Sequence, residues 1–151
     1  MESNTYNKYK INISVPKFEC IEANGKQGEG FVYPDISDNL PKLYIIKRGK
    51  EIYYVGITIQ DIRKRLRQGF SAQGEHGYHG YKWKNEDKVE VLIWCFPDSA
   101  PKHVEAIEAE LVYFIREKTG NWPKYQMEIH FHRASEEEKQ IAMSIRGQLL
   151  D

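Results

Sequence analysis

The sequence is poor in cysteine and has no long apolar run. Cys20 and Cys95 are its two cysteines, too few and too far apart for a disulfide framework or a cysteine metal site. We interpret both as reduced, packed thiols. The longest apolar run, 91–96, is far too short to cross a bilayer, and the polar first ten residues lack a secretory signal. These features predict a cytoplasmic protein.

Net charge and low-complexity sequence are absent as well. The chain has 22 basic and 22 acidic residues, and no internal repeat is visible. Its 151 residues fit one domain. Hydrophobic residues make up 40% of the composition, enough for a packed interior, so disorder of the whole chain is not expected.

The charge is unevenly distributed along the chain. Residues 1–41 have a net charge of −2, residues 42–84 of +7 and residues 85–151 of −5. A local excess of positive charge attracts phosphates, so the middle segment favours a nucleic-acid partner. The alternative is a solvated surface whose asymmetry has no functional meaning.

Three apolar segments predict the central sheet. Residues 43–47 and 52–57 form a hairpin around a turn at Gly49, and residues 89–96 form a third, well-covered strand. Helical patterns follow the second and third strands. We therefore expect an α/β (α+β) fold with a small, mainly antiparallel three-stranded central sheet flanked by helices.

Capping signals give the helix boundaries. Thr58 is expected to cap the first helix, Pro101 to lie in the first turn of the second, and Ser135 to begin a C-terminal helix in a capping box with Glu138. Within the N-terminal part, residues 16–23 are expected to form a short helix. The predicted organisation is an N-terminal extension (1–41), a core (42–126) and a C-terminal strand and helix packed on it (127–151), in a single domain.

Two tyrosines of the hairpin are candidate functional groups. Pairing of its strands brings Tyr44 and Tyr54 near each other, whereas alternation should turn Tyr53 to the opposite face. Gly56 lies on the Tyr54 face, where a glycine often marks a close approach. The alternative is that these tyrosines are ordinary strand formers.

An arginine and a glutamate stand out on the helices. Arg65 lies at the margin of its helix's apolar stripe, where a guanidinium can clamp a phosphate or merely cover the core. Glu108 falls inside the apolar stripe of the second helix. A buried carboxylate needs a compensating charge, which a divalent metal ion or an arginine would supply.

Two further groups have a less specific pattern. Tyr81 and Trp83 alternate with Lys82 and Lys84, so their rings either stack on bases or pack in the core. Near the C-terminus, Glu128, His130 and His132 share one face of an expected edge strand. We interpret that face as an exposed polar edge and not as a metal site.

Together these segments resemble the GIY-YIG nuclease superfamily. LYIIK and YYVGIT resemble its paired motif, RKRL its arginine helix, AIEAELV its glutamate helix, and WPKYQ its closing Pro-x-Tyr-Asn segment. The match covers residues 43–126. It implies a metal-dependent DNA endonuclease whose catalytic residues are Tyr44, Tyr54, Arg65 and Glu108.

The resemblance also implies a role for each group. Tyr44 would orient or deprotonate the attacking water, Tyr54 would hydrogen-bond the water or phosphate, and Arg65 would neutralise transition-state charge. Glu108 would hold one Mg²⁺ or Mn²⁺. Duplex or branched DNA would be the partner, with a homodimer or a partner protein supplying specificity. The expected DNA-binding residues are Lys47, Arg63, Lys64, Arg67, His76, His79, Lys82 and Lys84.

The chain departs from the family pattern at three positions. Lys42 stands where the first motif usually has glycine, and Gln126 replaces the closing asparagine. Gly69, four residues past Arg65, stands where relatives often have histidine or tyrosine. His76, Tyr78 and His79 are the nearest candidates to replace that side chain. The alternative function is a non-cleaving nucleic-acid-binding module with the same fold.

Overall fold

The computed structural model describes residues 5–75, 80–126 and 134–150. The elements, in chain order, are β1 (Asn7–Ser14), β2 (Lys17–Ala23), β3 (Lys26–Gln27), β4 (Lys42–Arg48), β5 (Glu51–Thr58), α1 (Ile62–Ser71), a 3-10 helix (Lys82–Asn85), β6 (Lys88–Cys95), α2 (Pro101–Thr119) and α3 (Glu136–Leu150). Among the helices in these ranges, none is both long and apolar enough to span a bilayer.

The strands form one antiparallel sheet in the order β3-β2-β1-β6-β4-β5. The expected α/β class and the expected strands β4, β5 and β6 are confirmed. The sheet has six strands and not three, because the N-terminal residues supply β1–β3 and β1 pairs with β6. The short helix expected at 16–23 is wrong. That segment is β2, whose hydrogen bonds to β1 outweigh its weak local preference.

Helices cover both faces of the sheet. On one face, α1 packs Ile62, Leu66 and Phe70 over a cluster that contains Tyr44 and residues of β1 and β6. On the other face, α2 and α3 pack over a cluster built from residues of β4, β5 and β6. This arrangement leaves β5 as one outer strand of the sheet, between the two helical layers.

Caps define the helix ends. The N-cap of α1 is Asp61 and not Thr58. The Asp61 carboxylate accepts a hydrogen bond from the Arg63 amide at 2.9 Å, whereas Thr58 is the last residue of β5. Pro101 is the first residue of α2, as expected. The capping box of α3 is confirmed, since the Ser135 amide donates to Glu138 Oε1 at 2.7 Å and the Glu138 amide to Ser135 Oγ at 3.1 Å.

The outer edge of β5 is covered by the segment around Gln126. The Tyr125 amide donates to the carbonyl of Tyr53 at 2.8 Å. The Gln126 side chain then bonds both backbone groups of Val55, accepting from its N–H at 3.0 Å and donating to its C=O at 3.2 Å. Gln126, the substitute for the closing asparagine, thus satisfies edge groups that would otherwise be open to another strand.

Lys42, the substitute for the motif's first glycine, is fully buried. Its ammonium donates to the carbonyls of Ser37, Leu40 and Gln60 at 2.6, 2.8 and 2.8 Å. Burial lowers its pKa, and the acidic groups around it oppose that shift. One side chain therefore ties the loop before β4 to the loop before α1.

We expect Lys42→Met to lower the free energy of unfolding by about 2 to 4 kcal/mol, because three buried carbonyls lose their donor while a desolvated charge is relieved. Urea denaturation measures this change. Lys50→Met, at the exposed hairpin turn, is the control and should change stability by no more than about 0.5 kcal/mol. A Lys42→Met variant as stable as the control would mean that water replaces the ammonium.

Candidate active site

The pairing of β4 with β5 brings two tyrosine rings together. Tyr44 lies opposite Gly56, Ile46 lies opposite Tyr54, and the centroids of the two tyrosine rings are 6.0 Å apart. A Cβ atom on Gly56 would lie 2.6 Å from Cζ of Tyr44 and 2.7 Å from Cε2 of Tyr54. The groups that closely approach Gly56 are therefore the rings of Tyr44 and Tyr54.

Tyr53 does not point to the face that simple strand alternation predicts. The register shifts between Ile46 and Lys47, so Tyr53 is an extra residue between the paired positions Ile52 and Tyr54. Because of this bulge Tyr53 packs in the same core cluster as Tyr54, not on the opposite face as expected. Its hydroxyl donates to Glu86 at 3.2 Å. Tyr53 is thus held away from Tyr44 by a separate interaction.

A third tyrosine, Tyr81, joins the pair. Its hydroxyl is 2.8 Å from that of Tyr44, and its ring centroid is 5.6 Å from that of Tyr54. Its ring stacks on Trp83, and both side chains are buried, so of the two alternatives for these rings packing in the core is the one that the structure supports. Local sequence patterns do not place Tyr81 in the site. The available signal was Gly69, whose missing side chain leaves the space that the Tyr81 ring fills.

Arg65 is half-buried on α1, and its guanidinium carbon lies 4.8 Å from the centroid of the Tyr81 ring. The charge of Arg65 also acts on the pKa of Tyr54. Burial is the main cause of a strongly raised pKa at Tyr54; the Tyr44 hydroxyl and the Glu108 charge raise it further, and the Arg65 charge lowers it. Tyr44, Arg65 and Glu108 therefore all lie within electrostatic range of the Tyr54 hydroxyl.

Glu108 is buried with 7% of its surface exposed, as its position in the apolar stripe predicted. Its helix, α2, packs against the face of the sheet opposite Tyr44. However, α2 contacts β5, the outer strand, and the charge of Glu108 acts on Tyr54 of that strand. From the helical layer on that face, the Glu108 side chain is thus within electrostatic range of Tyr54.

The donor set fits a hard divalent cation that is shared with a substrate. No group of three or more His, Cys, Asp or Glu side chains suited to a metal ion occurs among the described residues. Mg²⁺ needs no such group, since it is commonly bound through one or two carboxylates plus substrate phosphates and water. Glu108 would supply that carboxylate. Glu128, His130 and His132 lie outside the described residues.

The expected DNA-binding residues fall into three groups. Arg67 and Lys82 are exposed, Lys47 is half-buried, and Lys84 is half-buried and donates to a backbone carbonyl. Arg63 and Lys64 form ion pairs with Asp61 and Asp38, at 2.6 and 2.7 Å. Most of these basic residues lie on α1 and the 3-10 helix, which pack together through Phe70 and Trp83. His76, Tyr78 and His79 lie outside the described residues.

Comparison with known proteins gives the same family as the motifs. The family model of the GIY-YIG catalytic domain matches residues 41–119, more than half of the chain. Searches of the curated proteins and of the solved structures found no match. The matched range contains Tyr44, Tyr54, Arg65 and Glu108. The chain therefore belongs to the GIY-YIG nuclease superfamily.

Proposed function

We propose that this protein is a metal-dependent DNA endonuclease that hydrolyses phosphodiester bonds with Tyr44, Tyr54, Arg65 and Glu108. Membership of the family supports nuclease activity in general. What supports the finer proposal is that the rings of Tyr44 and Tyr54 lie 6.0 Å apart and that Tyr44, Arg65 and Glu108 all influence the pKa of the half-buried Tyr54. Such a combination of hydroxyls, a guanidinium and a carboxylate suits phosphoryl transfer, where positioning and charge compensation dominate.

The two tyrosines have different roles in this proposal. Burial, the largest cause, raises the pKa of Tyr54, so this residue keeps its proton and acts as a hydrogen-bond donor to the water or the phosphate. Tyr44 orients the attacking water or accepts its proton. The close packing of both rings over Gly56 holds the two hydroxyls in one place.

Arg65 and Glu108 compensate charge of opposite sign. A guanidinium forms two parallel hydrogen bonds with phosphate oxygens, so Arg65 stabilises the negative charge that develops on the pentavalent phosphorus. Glu108 would hold one Mg²⁺ or Mn²⁺, and such an ion stabilises the negative charge on the leaving oxygen. The burial of Glu108 calls for a compensating cation, because an ionised carboxylate is costly inside a protein, and either the metal ion or Arg65 would supply it.

Duplex or branched DNA is the proposed partner. The exposed cations Arg67 and Lys82 lie on the two helical segments that also carry Arg65 and adjoin Tyr81. With one active site per chain, cleavage of both strands calls for a second copy of the chain or a partner protein. Incubation of plasmid and branched DNA with Mg²⁺ or Mn²⁺, against a Glu108→Ala control, tests the activity. Metal-independent binding without cleavage would instead support a non-cleaving binding module.

DNA binding should weaken steeply with salt. If the basic residues of 42–84 contact about four phosphates, log Kd against log salt concentration should change with a slope of about 4 in magnitude. Replacing Arg67 and Lys82 by alanine should reduce that magnitude by about 2, measured by fluorescence anisotropy. Lys139→Ala, an exposed position on α3 across the sheet, is the control. Binding that does not depend on salt would exclude this surface as the docking site.

Glu108→Gln separates two explanations of the buried carboxylate. If Glu108 holds a catalytic ion, the variant keeps its shape, its fold and most of its DNA affinity. Cleavage then falls by on the order of 10²-fold or more, a barrier increase of about 2.7 kcal/mol. Rate assays with Mg²⁺ or Mn²⁺ measure this. Glu117→Gln, exposed on the same helix, should cleave at the unsubstituted rate.

The competing explanation is a structural ion pair between Glu108 and Arg65. In that case Glu108→Gln leaves a guanidinium under-paired and costs roughly 3 to 5 kcal/mol of stability. Thermal melting of both variants, run beside the rate assays, distinguishes the two cases. A strongly lowered melting temperature, together with no metal-dependent cleavage by the unsubstituted protein, would contradict the metal role.

A further inference from the structure

Gly69 on α1 and Gly80 in the segment before the 3-10 helix let these two parts of the backbone approach each other closely. A Cβ atom on Gly69 would overlap the ring of Tyr81, and a Cβ atom on Gly80 would overlap the backbone oxygen of Gly69. Gly80 also has a φ of +79°, in the left-handed region that favours glycine. The Tyr81 amide then donates to the Gly69 carbonyl at 3.1 Å. Both positions therefore require glycine if Tyr81 is to lie where it does.

The ring of Tyr81 is fixed on several sides. It stacks on Trp83 with centroids 4.5 Å apart and meets Phe70 edge-on at 5.8 Å. Only 4% of its surface is exposed. Aromatic contacts of this kind stabilise one ring orientation, so the direction of the Tyr81 hydroxyl is set by packing.

The same side chain contacts two of the proposed catalytic groups. Its hydroxyl is 2.8 Å from that of Tyr44, and the Arg65 guanidinium carbon is 4.8 Å from its ring centroid. A phenol hydroxyl rotates about its C–O bond, and a hydrogen bond to a fixed partner restricts that rotation. A cation held over an aromatic face is likewise restricted in position.

We infer that Tyr81 is a positioning residue of the proposed cleavage reaction: its hydroxyl orients the Tyr44 hydroxyl, and its ring supports the Arg65 guanidinium. This inference rests on the proposed function. It explains why α1 carries a glycine at position 69, where a side chain would occupy the place of the Tyr81 ring. The third hydroxyl of the site thus comes from a segment outside α1.

Tyr81→Phe tests the hydroxyl alone. Phenylalanine keeps the ring contacts with Trp83 and Arg65 and removes the bond to Tyr44. We expect kcat to fall about tenfold, the kinetic equivalent of one lost hydrogen bond of about 1.4 kcal/mol, with KM and DNA affinity unchanged. The matched control is Tyr53→Phe, which removes the hydroxyl that donates to Glu86 from the neighbouring part of the same cluster. Its kcat should stay unchanged.

Gly69→Ala tests the space for the ring. The added methyl displaces Tyr81 from both Tyr44 and Arg65, so kcat should fall further than in Tyr81→Phe. Because both changes act through one side chain, the double variant should lose much less than the product of the two single losses. Gln68→Ala, exposed on the same helix, is the control and should cleave normally.

The outcomes separate this inference from the proposed function. Cleavage by the unsubstituted protein that Tyr81→Phe leaves unchanged would overturn the inference and leave the proposed function intact. An equal loss in Tyr53→Phe would overturn it as well, because any buried hydroxyl would then have the same effect. Absence of cleavage by the unsubstituted protein, on every DNA tested with either metal ion, would overturn both.

Discussion

The arrangement of the candidate site depends on the register in which β4 pairs with β5. That register sets Tyr44 opposite Gly56, and only a residue without a side chain leaves room there for the rings of Tyr44 and Tyr54. A slip of one residue would turn each side chain of the strand to the other face. The bulge at Tyr53 makes the same register possible, because it absorbs one residue before Tyr54.

The position of β5 at the edge of the sheet explains how two helical layers contribute to one site. A central strand would separate α1 from α2 completely, but residues of both helices act on Tyr54 of this outer strand. The edge itself is closed by the backbone amide of Tyr125 and the side-chain amide of Gln126, which bond the backbone groups of Tyr53 and Val55. The edge strand can therefore form part of a site without offering open hydrogen-bonding groups at Val55.

Local signals predicted the parts of the structure that depend on neighbouring residues. The hairpin around Gly49, Pro101 at the start of α2 and the Ser135–Glu138 box are each encoded within a few positions. Burial of Glu108 also followed from helical periodicity. By contrast, β1 joins the sheet by pairing with β6, some eighty residues later in the chain, and no local pattern encodes that pairing.

Two errors at the site have the same physical origin. Strand alternation predicts the wrong face for Tyr53, because a bulge depends on the partner strand and not on the sequence of β5 alone. Tyr81 was missed because its contact with Tyr44 depends on how closely two glycines approach, 11 residues apart in the chain. Both residues are tyrosines among ten in the chain, so residue type alone cannot distinguish them.

The two ion pairs at the start of α1 differ in how readily they would release a cation to phosphate. Asp61 caps the helix and is almost fully buried, so it cannot move away from Arg63 without exposing the helix terminus. Asp38 and Lys64 are both about half-exposed, and an exposed pair contributes little stability. Lys64 can therefore exchange its carboxylate for a phosphate at little cost. Arg63 would stay bound to Asp61, and that acid would largely neutralise its charge toward a phosphate.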